Sequence, residues 1–137
     1  MFFITGYPRS RTAWFAGFFT TGPVFCHHEI KLIEPGSRIE GFSGPNFALT
    51  PQQGKMVIIE RDEQEVRESL RKLTKEADAI IDRFDLKKLD GLRVKFEDIN
   101  DRLQEIWEYC VDIPFDVQRA ELFKNLKIEQ NYGYLRF

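Results

Sequence analysis

The sequence predicts an α/β domain built on a mostly parallel sheet of about four to five strands flanked by helices. Three observations point to it. Phe2-Phe3-Ile4-Thr5 is a short apolar run that leads through a turn into a helix start. Lys55-Met56-Val57-Ile58-Ile59-Glu60 is continuously apolar at its centre, as expected of an inner strand buried on both faces. Around these runs, further short apolar stretches alternate with segments whose apolar residues recur at helical spacing.

Taken in order, Phe2–Thr5 is the first strand, and Thr12 to about Thr20 is a helix apolar all round (Ala13, Trp14, Phe15, Ala16, Phe18, Phe19). Such a helix is buried against a sheet. Thr21-Gly22-Pro23 ends it, and Val24–His28 reads as a second strand with Glu29 at its end. Ile30 to Lys55 is rich in Gly and Pro and weak in periodicity, with one brief strand around Arg38–Phe42. A loop this long is usually functional, and it is expected to cover the mouth of a site. After the Lys55–Glu60 strand, Asp62 with Glu65 forms a capping-box-like start. Val66, Leu70, Leu73, Ala77, Ile80 and Ile81 then mark a helix into the low eighties, with room for a break. Leu92–Phe96 is the next strand. Ile99, Leu103, Ile106, Trp107 and Cys110 line a helix begun by Glu97 or Asp98, Pro114 stops it, and Asp116 caps a shorter helix through Phe123. The tail Leu126–Phe137 is expected to add a strand.

The chain has 137 residues, read as a single domain over 1–137 that is long enough for a core. Twenty basic against twenty-two acidic side chains give a net charge of −2, which implies no general polyanion-binding surface and no nucleic-acid partner. Any anion site must therefore be local. Cys26 and Cys110 have no CxxC spacing and read as free core thiols of a reducing compartment. Met1–Ile4 is too short and lacks the basic flank of a signal peptide, and no stretch is long enough to span a membrane. A soluble, cytoplasmic protein is the expectation.

The local anion site is legible in Gly6-Tyr7-Pro8-Arg9-Ser10-Arg11-Thr12-Ala13-Trp14. A turn from a strand into a helix leaves backbone N–H groups aimed at one point, at the positive end of the helix dipole. Arg9 and Arg11 add planar cationic forks, and Ser10 and Thr12 add hydroxyls. This is not a Walker A loop. Counted from Gly6, the places of its Gly, Lys and Ser/Thr hold Arg11, Thr12 and Ala13, leaving neither the lysine nor the Mg²⁺-holding hydroxyl. A second cation, Arg61, follows the inner strand, where ligands of open α/β sheets bind, and Ser69 lies two helical turns beyond the cap on the same face.

The run from Gly6 to Trp14 resembles the 5′-phosphosulfate loop of the sulfotransferases that use 3′-phosphoadenosine 5′-phosphosulfate (PAPS), usually Tyr-Pro-Lys-Ser-Gly-Thr-Thr-Trp. Arg9 stands for the family's lysine, and Tyr7, Pro8, Ser10, Thr12 and Trp14 match. Arg11 replaces the glycine and Ala13 a threonine. The family also holds the 3′-phosphate with an Arg at a strand end and a Ser eight positions later, the spacing of Arg61 and Ser69. Val94-Lys95-Phe96-Glu97-Asp98-Ile99 is similar to the family's Val-x-Tyr-Glu-Asp-Leu segment. The resemblance covers roughly Phe2 to Ile99, and the glycine-rich segment that closes over the 3′-phosphate and adenine has no clear counterpart in Asn125–Phe137.

The resemblance implies a PAPS-dependent sulfotransferase that releases 3′-phosphoadenosine 5′-phosphate (PAP) and needs no metal, with Tyr7 to Trp14, Arg61 and Ser69 binding the nucleotide. Arg9 would polarise the transferring group. The acceptor would be a small molecule or a glycan with a hydroxyl or amine. The chain is about half the family's usual length, so a homodimer is one way to complete the acceptor pocket. The family's base is a His on the strand before the Arg-bearing one, or a Glu, and no His stands near Arg38–Phe42. His28 or Glu29 is the expected base, since strand alternation sends His27 and His28 to opposite faces. Two other readings stay open: a PAPS/PAP-binding module without catalysis, and a P-loop kinase.

Overall fold

The computed structural model describes residues 1–29 and 39–126. It is an α/β fold. Five strands, β1 (Phe2–Gly6), β2 (Val24–His28), β3 (Ile39–Ser43), β4 (Lys55–Glu60) and β5 (Leu92–Lys95), form one sheet in the order β2-β3-β1-β4-β5. Every pairing is parallel. The helices are α1 (Thr12–Phe19), α2 (Glu63–Arg71), α3 (Ala77–Asp82), α4 (Leu103–Cys110) and α5 (Val117–Lys124).

β1 is central and wholly buried, and its alternating side chains divide the core. Phe2 and Ile4 face α1, α4 and α5 in a cluster with Phe15, Phe18, Phe19, Leu103, Ile106 and Trp107. Phe3 faces the other way, toward Phe42, Phe47, Met56, Ile58 and Leu86. Gly41 of β3 is required by the first face: a Cβ there would meet the Phe2 ring at 2.2 Å. α2 and α3 pack on each other through Val66, Leu70, Ala77 and Ile81, and Tyr7 joins them to the second face. The chain thus leaves β1 toward one face through α1 and leaves β4 toward the other through α2. The adjacent strands β1 and β4 define a switch point whose crevice opens at their carboxyl ends.

Two devices fix α1. Its terminal carbonyls would lack helical partners, and the Arg119 guanidinium of α5 donates to the carbonyls of Gly17, Phe18 and Thr20. Trp14 Nε1 donates to the Phe123 carbonyl at 3.0 Å. Asp116 caps α5 and Asp62 caps α2, both as the sequence suggests.

The break that the sequence allows in the helix from Glu63 is present: the N–H groups of Leu73 and Thr74 both close on Leu70, and the Thr74 hydroxyl takes up the Glu76 N–H. The start of the next helix differs from the sequence expectation. α4 starts at Leu103, not at Glu97 or Asp98. Two 3₁₀ turns, Phe96–Asp98 and Asn100–Arg102, precede it, and Arg102 ties them to the Arg93 carbonyl. Residues 39–55 supply β3, the brief strand expected around Arg38–Phe42, which lies inside the sheet, and a 3₁₀ turn (Pro45–Ala48) that buries Phe47 in the second core face. The rest of the segment expected to cover the site, residues 30–38, falls outside the described residues. The strand expected in the tail falls outside the described residues from Lys127 onward.

Candidate functional site: an anion cradle at the switch point

Gly6 ends β1 where only glycine fits. A Cβ would lie 2.8 Å from the Ile59 carbonyl oxygen and 3.3 Å from the Ser10 Cβ, so the loop folds back tightly over the end of β4. The turn continues through Arg9 at φ 68° and Arg11 at φ 66°, both left-handed. For residues with a Cβ this conformation costs about 1–2 kcal/mol each. The first bond at the helix start runs from the Phe15 N–H to the Arg11 carbonyl, so the N–H groups of Thr12, Ala13 and Trp14 have no helical acceptor. Ser10 is wholly buried, and its Oγ has no hydrogen-bond partner among the described residues. Burying an unpaired hydroxyl is unfavourable, and at the positive end of a helix it suits an anion.

Arg61, the first residue after β4, crosses the crevice. Its guanidinium donates to the Arg9 carbonyl and lies over the Phe96 ring, 4.3 Å from the centroid. Glu65 Oε2 stands 3.8 Å from its Nε, too far for a hydrogen bond, and that N–H is buried and unbonded. Arg11 turns to the same wall. Its guanidinium stacks on Trp14 at 4.0 Å and donates to Asn100 Oδ1 at 3.0 Å. Burial without a carboxylate pushes Arg11 down to about 10, which still leaves it cationic at neutral pH. The Arg9 side chain has no ionic or hydrogen-bonded partner among the described residues. Beyond Arg61 an open depression of about 700 Å³ is lined by Glu60, Asp62, Glu65, Lys95, Phe96 and Glu97.

The other expected residues divide clearly. Tyr7 donates its hydroxyl to Glu63 Oε1 at 3.1 Å, strapping the loop to α2, and burial followed by that carboxylate raises its pKa. Pro8 is half-buried in the turn. Ala13 and Trp14 are core residues, so their backbone N–H groups are what they present to the loop. Ser69 is half-buried on α2 with no hydrogen bond among the described residues.

On the opposite side of β1 the two histidines part as strand alternation requires. His27 stacks on Phe42 and meets Glu40 Oε2 at 2.6 Å. His28 pairs in register with Ser43 on the α1 face, and Ser43 Oγ donates to the Thr12 carbonyl at 2.6 Å. His28 therefore flanks the start of α1. Burial lowers its pKa, outweighing the opposing pull of Glu29, and so favours the neutral imidazole. Glu29 is exposed at φ 63°, with its N–H on the Ser43 carbonyl and its C=O accepting from Asn46 Nδ2. Among the described residues no three His, Cys, Asp or Glu side chains converge as a metal site.

Sequence reasoning missed Asn100 and Ser43, and it noted Phe96 only as part of a motif. The available signal was position: Ser43 ends β3, and Phe96 to Asn100 follow β5, at the sheet edge where ligands bind. Comparison of the chain with protein-family models, with curated proteins and with solved structures gave no match.

Proposed function

We propose that the protein is a PAPS-dependent sulfotransferase acting on a hydroxyl or amine acceptor. One arrangement carries the proposal: an anion cradle with a buried, unbonded Ser10 hydroxyl faces a strand-end arginine, Arg61, that has no carboxylate in hydrogen-bond reach. Two separated cationic positions suit a nucleotide with phosphates at both ends of its ribose. The free N–H groups of Thr12 to Trp14, with Ser10 and Thr12, would hold the 5′-phosphate end, while Arg61 and Ser69 would hold the 3′-phosphate.

When bound, PAPS would supply a sulfuryl group whose S–O bond to the 5′-phosphate breaks as a new bond to the acceptor forms. Arg9, with no competing partner, would balance charge growing on the bridging oxygen. His28, neutral and beside the start of α1, would take the acceptor proton. Glu29 is exposed and its backbone is engaged on both sides, so of the two expected bases His28 has the better position.

PAP release from PAPS, followed over a panel of hydroxyl and amine acceptors, tests this directly. Acceptor-dependent release that is lost in Arg9→Ala supports it. A PAP-binding module without catalysis is the second reading. Tight PAP binding with no transfer to any acceptor would select it.

A further inference from the structure

Arg11 occupies the place of a glycine in the resemblance, at a φ of 66° that favours glycine. Its backbone belongs to the cradle at the start of α1, but its side chain does not stay there. The guanidinium is drawn over Trp14 and onto Asn100, in the turn that follows β5. The same turn begins with Phe96, on whose ring Arg61 lies. Two guanidinium groups from different parts of the chain are thus held against one five-residue segment. Among the described residues neither has a carboxylate within hydrogen-bond distance: Arg11 has an amide oxygen and an indole face, Arg61 a carbonyl and a phenyl face.

We propose that the Arg11 guanidinium acts with Arg61 on the sugar-borne 3′-phosphate, while the N–H groups that follow it at the start of α1 hold the 5′-phosphate. This rests on the nucleotide-binding function proposed above. A phosphate monoester is close to doubly charged at neutral pH, and Glu60, Asp62, Glu65 and Glu97 rim the depression beyond Arg61, with Lys95 as its other cation. Against four carboxylates these two cations leave a dianion short of balancing charge, and a second guanidinium from the loop redresses the balance.

The test is metal-free calorimetry with PAP and with AMP, which lacks the 3′-phosphate, on wild type, Arg11→Gly and Asn100→Ala. Glycine relieves the left-handed backbone, so Arg11→Gly should fold, as thermal melting will show. The expected result is a loss of PAP affinity of roughly tenfold or more in Arg11→Gly, with AMP affinity within about threefold of wild type. Asn100→Ala should shift the PAP-to-AMP ratio the same way by less. Equal losses for both ligands would place the guanidinium on the 5′-phosphate and overturn the assignment while leaving the nucleotide site intact. An unchanged ratio in both variants would overturn it as well, and Asn100→Ala alone decides if Arg11→Gly does not fold. If wild type binds PAP and AMP equally, the two-phosphate site itself is wrong and the assignment falls with it.

Discussion

Two sets of arginines in this protein have opposite surroundings. Arg67 on α2 meets Glu63 at 3.1 Å, Asp78 at 2.9 Å and Asp82 at 2.6 Å, and Arg71 adds a second contact to Asp78. These hydrogen bonds raise the Arg67 pKa, and Arg71 followed by Arg67 holds Asp78 below the usual carboxylate range. The network joins α2 to α3, and it is complete. Around the switch point Arg11 has an amide oxygen and an indole face, Arg61 a carbonyl and a phenyl face, and the Arg9 side chain no partner among the described residues. Two of the three sit in a loop whose backbone is held in a costly conformation. Arg67 and Arg71, which already have carboxylates, hold α2 to α3, whereas in the proposed function Arg9, Arg11 and Arg61 serve an anion from solution.

The contrast can be broken, and the sharpest attempt concerns chemistry. Arg9→Ala should lower transfer by about 10²–10³-fold while weakening PAP much less, because charge develops near Arg9 only during transfer. Equal losses in PAP binding and in transfer would make Arg9 a binding residue only. His28→Ala should cost about 10²–10⁴-fold in transfer with PAP affinity kept. Since burial lowers the His28 pKa, the active neutral form persists to below pH 6.5, and the acid limb of the rate profile should lie below that value. The same shift acts on stability. The unfolded chain takes up the proton first, so the contribution of His28 is flat above about pH 6.5 and turns unfavourable as pH falls through the range between the two pKa values. A limb at or above pH 6.5 that His28→Ala leaves in place would locate the base elsewhere.

Smaller effects separate the two groups of arginines. Arg61→Ala should weaken PAP by roughly tenfold or more and leave AMP nearly unchanged. Arg67→Met should leave both affinities unchanged and lower the melting temperature slightly, with the difference shrinking at high salt because those partners are exposed. If Arg67→Met altered PAP binding as much as Arg61→Ala, the division between structural and ligand-facing arginines would not hold.

Much of this arrangement is legible in the sequence because it follows from local chemistry. The continuous apolar run Lys55–Glu60 marks β4, Gly6 marks the tight exit from β1, and Asp62 and Asp116 mark two helix starts. The strand order is not local. Nothing in Val24–His28 says that it lies at the edge while β3 returns to sit beside β1. The partnerships across the crevice escape for the same reason. Arg61 with Arg9 and Arg11 with Asn100 join residues 52 and 89 positions apart. The brief strand expected around Arg38–Phe42 is β3, but its place inside the sheet is not local information, and the turn after it carries one buried aromatic residue, Phe47, in place of a periodic pattern.

The central claim is that two separate anion positions face one crevice, and metal-free calorimetry of the wild-type protein with PAP and with AMP tests it most directly. PAP should bind at least about tenfold more tightly than AMP, the contribution of one further charge-assisted phosphate contact. Equal affinities for the two nucleotides would contradict it.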